Sequence, residues 1–245
     1  MVRVRAHDAF VRTLNELISA DEDAWPTILG WLAGAPSLVE ILACERQAGE
    51  ATLLALQVTT RSPMGALALR SGGILLDCGW IRLLGARGDR IGDGLVEWNA
   101  GLGGAPLDPP LVGATVVAYD AVGGFFAINA DRWDAPVGSV HYLGPDGTGW
   151  QPLGLTYSGL MQWSMSESVA TFYDGLRWTG WEDEVAALAP DAALLIYPPP
   201  GFEATAIADR ARRPVPAREL WTLAHEPARQ VADSPEGARF RFLVG

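Results

Sequence analysis

The stretch Val112-Gly-Ala-Thr-Val-Val-Ala-Tyr-Asp-Ala-Val-Gly-Gly-Phe-Phe-Ala-Ile-Asn129 decides the reading of the fold. Two apolar runs, Val112–Tyr119 and Phe125–Asn129, are rich in the β-branched and aromatic residues that suit a pleated surface. Between them, Asp120-Ala-Val-Gly-Gly124 supplies turn chemistry. So short a loop joins antiparallel strands, because a parallel crossover takes a dozen or more residues. The same arrangement recurs outward. Ile74–Leu76 and Trp80–Leu84 flank Asp77-Cys78-Gly79. Ser139–Leu143 and Trp150–Leu153 flank a loop that opens Gly144-Pro145-Asp146-Gly147. Thr52–Val58 is a further strand candidate. Ala192–Tyr197, stopped by Pro198-Pro199-Pro200, reads as a buried strand, and Arg239–Val244 as a closing one.

Helical spacing brackets this sheet. Phe10, Val11, Leu14, Leu17 and Ile18 form one apolar face, with Asp8 as its cap. Trp25, Ile28, Leu29 and Leu32 repeat the pattern. Ser37-x-x-Glu40 is a capping-box pattern ahead of Ile41 and Leu42. One helical turn is expected at Leu95–Trp98, inside a Gly- and Pro-rich ordered loop over Gly85–Pro110. Met165, Val169, Phe172 and Leu176 share a face, with Ser158 as the cap upstream. Thr179-x-x-Glu182 starts another helix, and Pro216 begins the one that carries Leu220, Trp221 and Leu223. The class is α+β: a mainly antiparallel sheet with N-terminal and C-terminal helices packed on it. The core is expected over 1–188, with 189–245 as an extension packed on the same domain.

The chain has 245 residues, 49% of them hydrophobic, so it can bury a substantial core. Its net charge is −11, from 29 acidic and 18 basic groups, and every basic one is arginine. Without lysine there is no internal Schiff base and no P-loop lysine. An excess of negative charge disfavours nucleic acid as a partner. The first ten residues lack the apolar core of a signal peptide, and no apolar run is long enough to span a bilayer. Cys44 and Cys78, the two cysteines, give no disulfide framework. The expectation is a cytoplasmic protein with reduced thiols and no membrane partner.

Reactive patterns are sparse. There is no GxGxxG and no G-x-S-x-G elbow. His7, His141 and His225 are scattered, so no metal site and no cofactor is expected. The arginines at 210, 212, 213 and 218 read as a solvated, Pro-interrupted loop. Glu182-Asp183-Glu184 is explained by the helix dipole, and Asp131 and Asp134 by a turn. Ten tryptophans are a heavy load, most of it core. Arg177-Trp-Thr-Gly-Trp181 has the most interface-like composition, since tryptophan and arginine anchor protein contacts.

The segments Ala55-Leu-Gln-Val-Thr-Thr-Arg-Ser-Pro-Met-Gly65, Asp120–Asn129, Arg177-Trp-Thr-Gly-Trp-Glu182 and Arg212-Arg-Pro-Val-Pro216 resemble the bacterial family called domain of unknown function 2625, from Leu14 to Leu223. A second pattern comprises Gly72-Gly73, Gly79-Trp-Ile-Arg82, Val116–Asp120 with Gly123-Gly124, and Gly138-Ser-Val-His-Tyr142. It ends in a helix from Ser158 through Trp163 and is similar to the SUKH superfamily. Bacterial members of that superfamily act as immunity proteins against secreted toxins. The resemblance implies a SUKH-like fold and a protein-binding surface, with a basic toxin domain as the partner.

Three functional expectations follow. In the first, the chain binds another protein through Asp120, Gly123, Gly124 and Phe125, together with Tyr157, Trp178 and Trp181. In the second, an enzyme or small-ligand protein has a pocket beneath the 85–110 loop, furnished by Arg61, Asp93, Asp120 and His141. Self-association into a homodimer through exposed tryptophans is the third.

Overall fold

The computed structural model describes residues 11–232, except 20, 148 and 201–205, with side chains through His225. The Asp8 cap and the Arg239–Val244 strand expected from the sequence lie outside the described residues. Elements follow in the order α1 Leu14–Leu17, α2 Trp25–Ala33, β1 Glu40–Leu42, α3 Arg46–Leu56, α4 Pro63–Arg70, β2 Gly73–Leu76 and β3 Ile81–Leu84. Then come α5 Leu95–Trp98, β4 Ala114–Asp120, β5 Phe125–Asn129, β6 Val140–Leu143 and β7 Trp150–Pro152. Helices α6 Tyr157–Ser164, α7 Ser168–Phe172 and α8 Trp181–Ala186 lead to β8 Ala192–Tyr197, β9 Ala211–Pro216 and α9 Ala217–Ala232.

Strands β1 to β7 form one antiparallel sheet in chain order, and β8 and β9 form a separate two-stranded ribbon. The α+β class with a mainly antiparallel sheet is therefore what the chain adopts. One cross-strand row traverses the large sheet: Glu40, Leu75, Arg82, Tyr119, Phe125, Leu143, Trp150. Side chains alternate, so Ala118, Asp120, Phe126 and Tyr142 point to the opposite face. Trp98 of α5 and Trp221 of α9 pack on the first face, against Tyr119 and Phe125. Trp163, Phe172 and Tyr173 pack on the second, around Phe126 and Tyr142. Residues of β8, β9 and α9 belong to the same hydrophobic cluster as the sheet, so the C-terminal part shares its core.

Several local expectations are corrected. Thr52–Val58 is no strand: Gly49, Thr52 and Leu53 form the buried stripe of α3. Gly49 fits there because a Cβ would lie 2.1 Å from the Leu69 carbonyl oxygen, which lets α3 and α4 approach closely. Ser37-x-x-Glu40 caps nothing; Glu40–Leu42 is the edge strand β1, paired to β2. The cap of α6 is Thr156, whose hydroxyl accepts from the Gly159 amide, and not Ser158. The Met165–Leu176 face is interrupted, because α6 ends at Ser164 and α7 starts at Ser168. Gly180, with φ 81°, precedes α8 in place of the Thr179 cap. Pro216 ends β9, and α9 begins one residue later. The arginine segment is not a solvated loop: Arg212 and Arg213 lie in β9 and Arg218 in α9, with Arg212 paired to Glu184 at 3.1 Å and Arg218 to Asp93 at 2.5 Å.

The β2–β3 loop holds three successive left-handed residues, Asp77, Cys78 and Gly79, at φ 52°, 55° and 84°. A side chain in that region costs about 1–2 kcal/mol. Cys78→Gly is therefore expected to stabilise the protein by ~1 kcal/mol, raising the thermal midpoint by about 2–4 °C. An unchanged or lower midpoint in differential scanning calorimetry contradicts this.

Candidate functional site

The β4–β5 hairpin is held from within by Asp120, which is fully buried. Its Oδ1 accepts from the Val122 and Gly124 amides at 3.0 and 2.7 Å. Its Oδ2 accepts from the Tyr142 and Tyr173 hydroxyls at 2.7 and 3.1 Å. Burial pushes the carboxyl above its ordinary range, and these four hydrogen bonds pull it back. Gly124 is dictated by the same knot, since a Cβ there would sit 2.1 Å from both Asp120 Oδ2 and the Tyr142 oxygen. Phe125 follows, buried against Trp98 and Trp221.

The outer side of this hairpin is the floor of an apolar cleft of about 410 Å3. Val122 and Gly123 form the floor, Leu194 and Ile196 of β8 one wall, and Leu220 and Leu223 of α9 the other. Gly123 lies against Leu220, where an added Cβ would come within 3.0 Å. The Leu194 amide donates to the Ala121 carbonyl at 2.7 Å, fastening β8 to the hairpin. Tyr197 stands at the rim with 71% exposure, the largest exposed aromatic side chain among the described residues. Nothing in the hairpin's sequence announced this cleft, because its walls come from segments far along the chain.

The other expected contact residues sit deeper. Tyr157 is buried in α6, its hydroxyl without a partner and its ionisation pushed up by burial. Trp178 is buried, with its indole N–H on Glu184 at 2.8 Å and the Arg212 guanidinium 4.3 Å over its ring. Trp181 is half-buried, stacked 4.1 Å under Arg177, which also lies 4.7 Å over Trp80 and ion-pairs with Asp77. Arg177–Trp181 is thus a packed corner of alternating guanidinium and indole groups. No described tryptophan is exposed.

The four residues of the alternative pocket are not brought together. Arg61 is exposed and paired with Glu22 at 2.8 Å. Asp93 is held by Arg218. His141 is buried, stacked 4.1 Å from Trp133, and its alternation with Leu143 puts it on the face opposite Asp120. A cavity of about 640 Å3 does lie beside the 85–110 loop, between α3 and residues Arg87–Glu97. None of the four lines it. Among the described residues no group of three or more His, Cys, Asp or Glu is placed to hold a metal, and no helix is long and apolar enough to cross a membrane. Arg82 was missed by sequence reasoning. It is buried beside the Tyr119 ring at 5.8 Å, with Nε and Nη1 unpartnered, and burial pulls its ionisation down.

These features define an α+β protein on an antiparallel meander, with a closed polar knot inside and an apolar cleft at one hairpin tip. The chain belongs to the family described as protein of unknown function DUF2625, whose model matches residues 14–220. It is 34% identical over 218 residues to the uncharacterised protein YbfG of Escherichia coli (strain K12), covering 88% of this chain and 97% of that protein. It is 31% identical over 190 residues to an uncharacterised protein of Haemophilus influenzae, covering 77% of this chain and 82% of that one. No solved structure matches the chain, and none of these comparisons carries the similarity to the SUKH superfamily.

Proposed function

We propose that this protein is a protein-binding module of the immunity type, which occupies a toxin domain through the cleft at the β4–β5 hairpin. The observation that carries the reading is the cleft itself: apolar walls, a rigid floor fixed by Asp120, and an exposed tyrosine at the rim. Pre-formed apolar concavities edged by aromatic anchors are where protein contacts concentrate their affinity. A net charge of −11 speeds encounter with a basic partner. A shared pocket for Asp120 and His141 has no such support, because the two lie on opposite faces of the sheet.

The test is co-expression of the tagged chain with the products of the adjacent genes. The expected result is a stoichiometric complex that survives gel filtration. Tyr197→Asp is expected to weaken it by on the order of 100-fold, the loss of a hot-spot aromatic. If the wild-type chain retains no partner, or Tyr197→Asp binds as tightly as wild type, the reading is overturned.

A further inference from the structure

The cavity of about 640 Å3 between α3 and residues Arg87–Glu97 shares no residue with the hairpin cleft, and the proposed function leaves it unused. Both of its walls are stiff. On one side Ala48, Ala51 and Ala55 of α3 line it, at the three- and four-residue spacing of one helix face. On the other, the chain is fastened at each turn. The Ala86 amide donates to the Ser71 carbonyl at 2.8 Å, Gly88 and Ile91 exchange both their backbone hydrogen bonds at 2.8 and 3.2 Å, and the Leu95 amide donates to the Gly85 carbonyl at 2.8 Å. An added Cβ at Gly88 would lie 2.4 Å from the Ala43 carbonyl oxygen, so the loop is also pressed against the end of β1. Three polar features of this cavity have no internal partner. Thr52 is only 4% exposed and lines it, yet no hydrogen bond reaches its hydroxyl among the described residues. A hydroxyl so placed costs stability until something in the cavity meets it. The Arg87 guanidinium, also in the lining, has no ion pair and no hydrogen bond among the described residues. The first turn of α3 has no side-chain cap, so the amides of Gln47 and Ala48, two more lining residues, are unpaired at the positive end of the helix dipole. Beside these donors stand the carboxylates of Glu45, Asp89 and Glu97, and Glu97 gives one oxygen to the Gly94 amide at 3.0 Å and keeps the other.

We propose that this cavity binds a small zwitterion of the basic amino-acid class, with its carboxylate on Arg87 and the first turn of α3 and its cationic groups among Glu45, Asp89 and Glu97. Donors for an anion and acceptors for a cation line one space, which is what a zwitterion requires. The acceptors are in excess, three carboxylates to one guanidinium, so a ligand with net positive charge is selected over a neutral or acidic one. The alanine stripe takes the methylene stem of the ligand's side chain, as apolar surface does for lysine and arginine within proteins. Thr52 supplies a hydrogen bond from beneath the stem to the ligand's polar end. The volume lies within the range of about 300–1,000 Å3 typical of small-molecule sites, and fixed walls keep the ordering cost of binding low. The inference goes beyond the proposed function, since it assigns a second site with its own ligand.

Titration calorimetry of the full chain with L-arginine and with L-lysine tests it. At least one of the two is expected to bind one to one. Putrescine, which lacks the carboxylate, and L-glutamate, which has the wrong net charge, are expected to bind more weakly by about tenfold or more. If neither basic amino acid binds, or if putrescine or L-glutamate binds as tightly, the proposal is overturned. Gly92 provides the blocking variant: it lines the cavity, its φ is not left-handed, and nothing lies within 4 Å of a Cβ built on it. Gly92→Trp is expected to keep the circular dichroism of the fold and to abolish binding; retained affinity places the ligand elsewhere and overturns the site. Thr52→Val is expected to raise the thermal midpoint of the free protein, because an unpaired hydroxyl is removed, and to weaken the ligand by about three- to tenfold. Asp89→Asn, a change at an exposed position, is expected to weaken it by about tenfold. Wild-type affinity in both of these variants overturns the assignment of the contacts. Tyr197→Asp is expected to bind the amino acid as wild type does, so this site and the protein-binding cleft are read separately.

Discussion

Asp120→Ala is expected to remove at least ~4 kcal/mol of stability, enough to leave little folded protein at 37 °C. The substitution takes the acceptor from four donors at once, the Val122 and Gly124 amides and the Tyr142 and Tyr173 hydroxyls, of which only the two hydroxyls can turn to each other. Each buried donor left without a partner costs about 1–3 kcal/mol, against a total domain stability of about 5–15 kcal/mol. No solvent reaches the vacated position, because Asp120 and Tyr173 are fully buried. Asp120→Asn separates geometry from chemistry. It keeps one oxygen for the two amides and turns an NH2 toward two hydroxyls that can rotate to accept, so about 2 kcal/mol is expected. Urea unfolding followed by circular dichroism measures both. An Asp120→Ala protein that unfolds within 1 kcal/mol of wild type would falsify the view that this carboxylate organises the hairpin.

Alkaline unfolding is the second large effect. Four of the five tyrosines, at 119, 142, 157 and 173, are buried, and burial pushes the ionisation of each above its ordinary value near 10. Asp120 adds to the shift at Tyr142 and Tyr173 by its proximity. The unfolded chain releases these protons near pH 10, while the folded chain cannot until much higher pH. The unfolded state therefore binds fewer protons above pH 10, and stability falls as pH rises. Each buried tyrosine contributes a loss of about 1.4 kcal/mol per pH unit, so four together remove about 5 to 6. The protein is expected to hold its full stability below pH 10 and to unfold cooperatively within about two units above it. Phenolate absorbance at about 295 nm should then rise together with the loss of far-ultraviolet dichroism. Gradual ionisation of all the tyrosines with the dichroism intact contradicts the burial of these rings.

How far these features were legible in the sequence depends on how local their cause is. The hairpins at 77–79, 120–124 and 144–147 were legible because turn chemistry is written in adjacent residues. Helix α3 was not, because the apolar run Leu53–Leu56 with Val58 after it has no helical period of its own. Only the wider window from Arg46 shows the Gly49, Thr52, Leu53 stripe. Edge strand β1 has three residues, too few to show alternation against the Ser37-x-x-Glu40 pattern.

The site was less legible than the fold. Asp120 stood out in its turn, but its partners Tyr142 and Tyr173 lie 22 and 53 positions away. Trp178 and Trp181 had the composition of an interface, yet Arg177, Arg212 and Glu184 enclose them, and only pairing through space reveals that. Arg82 stood in an expected strand, but its inward position follows only from the register with Leu75, Tyr119 and Phe125, which spacing along the chain does not give. The cleft is assembled from the hairpin, β8 and α9, which no spacing within one segment encodes.

The in-order meander of β1 to β7 also has a consequence for biosynthesis. Each strand finds its neighbour among residues already made, so the sheet can assemble vectorially as the chain leaves the ribosome. Phe125 and Trp150 of its aromatic row, however, wait for Trp221, the last tryptophan of the chain to be made. A nascent chain stalled before β8 would carry a finished sheet with one flank covered by Trp98 but not by Trp221, an apolar surface of the kind that recruits chaperones and proteases. The C-terminal elements thus act as the quality-control seal of a fold whose framework is complete before they exist.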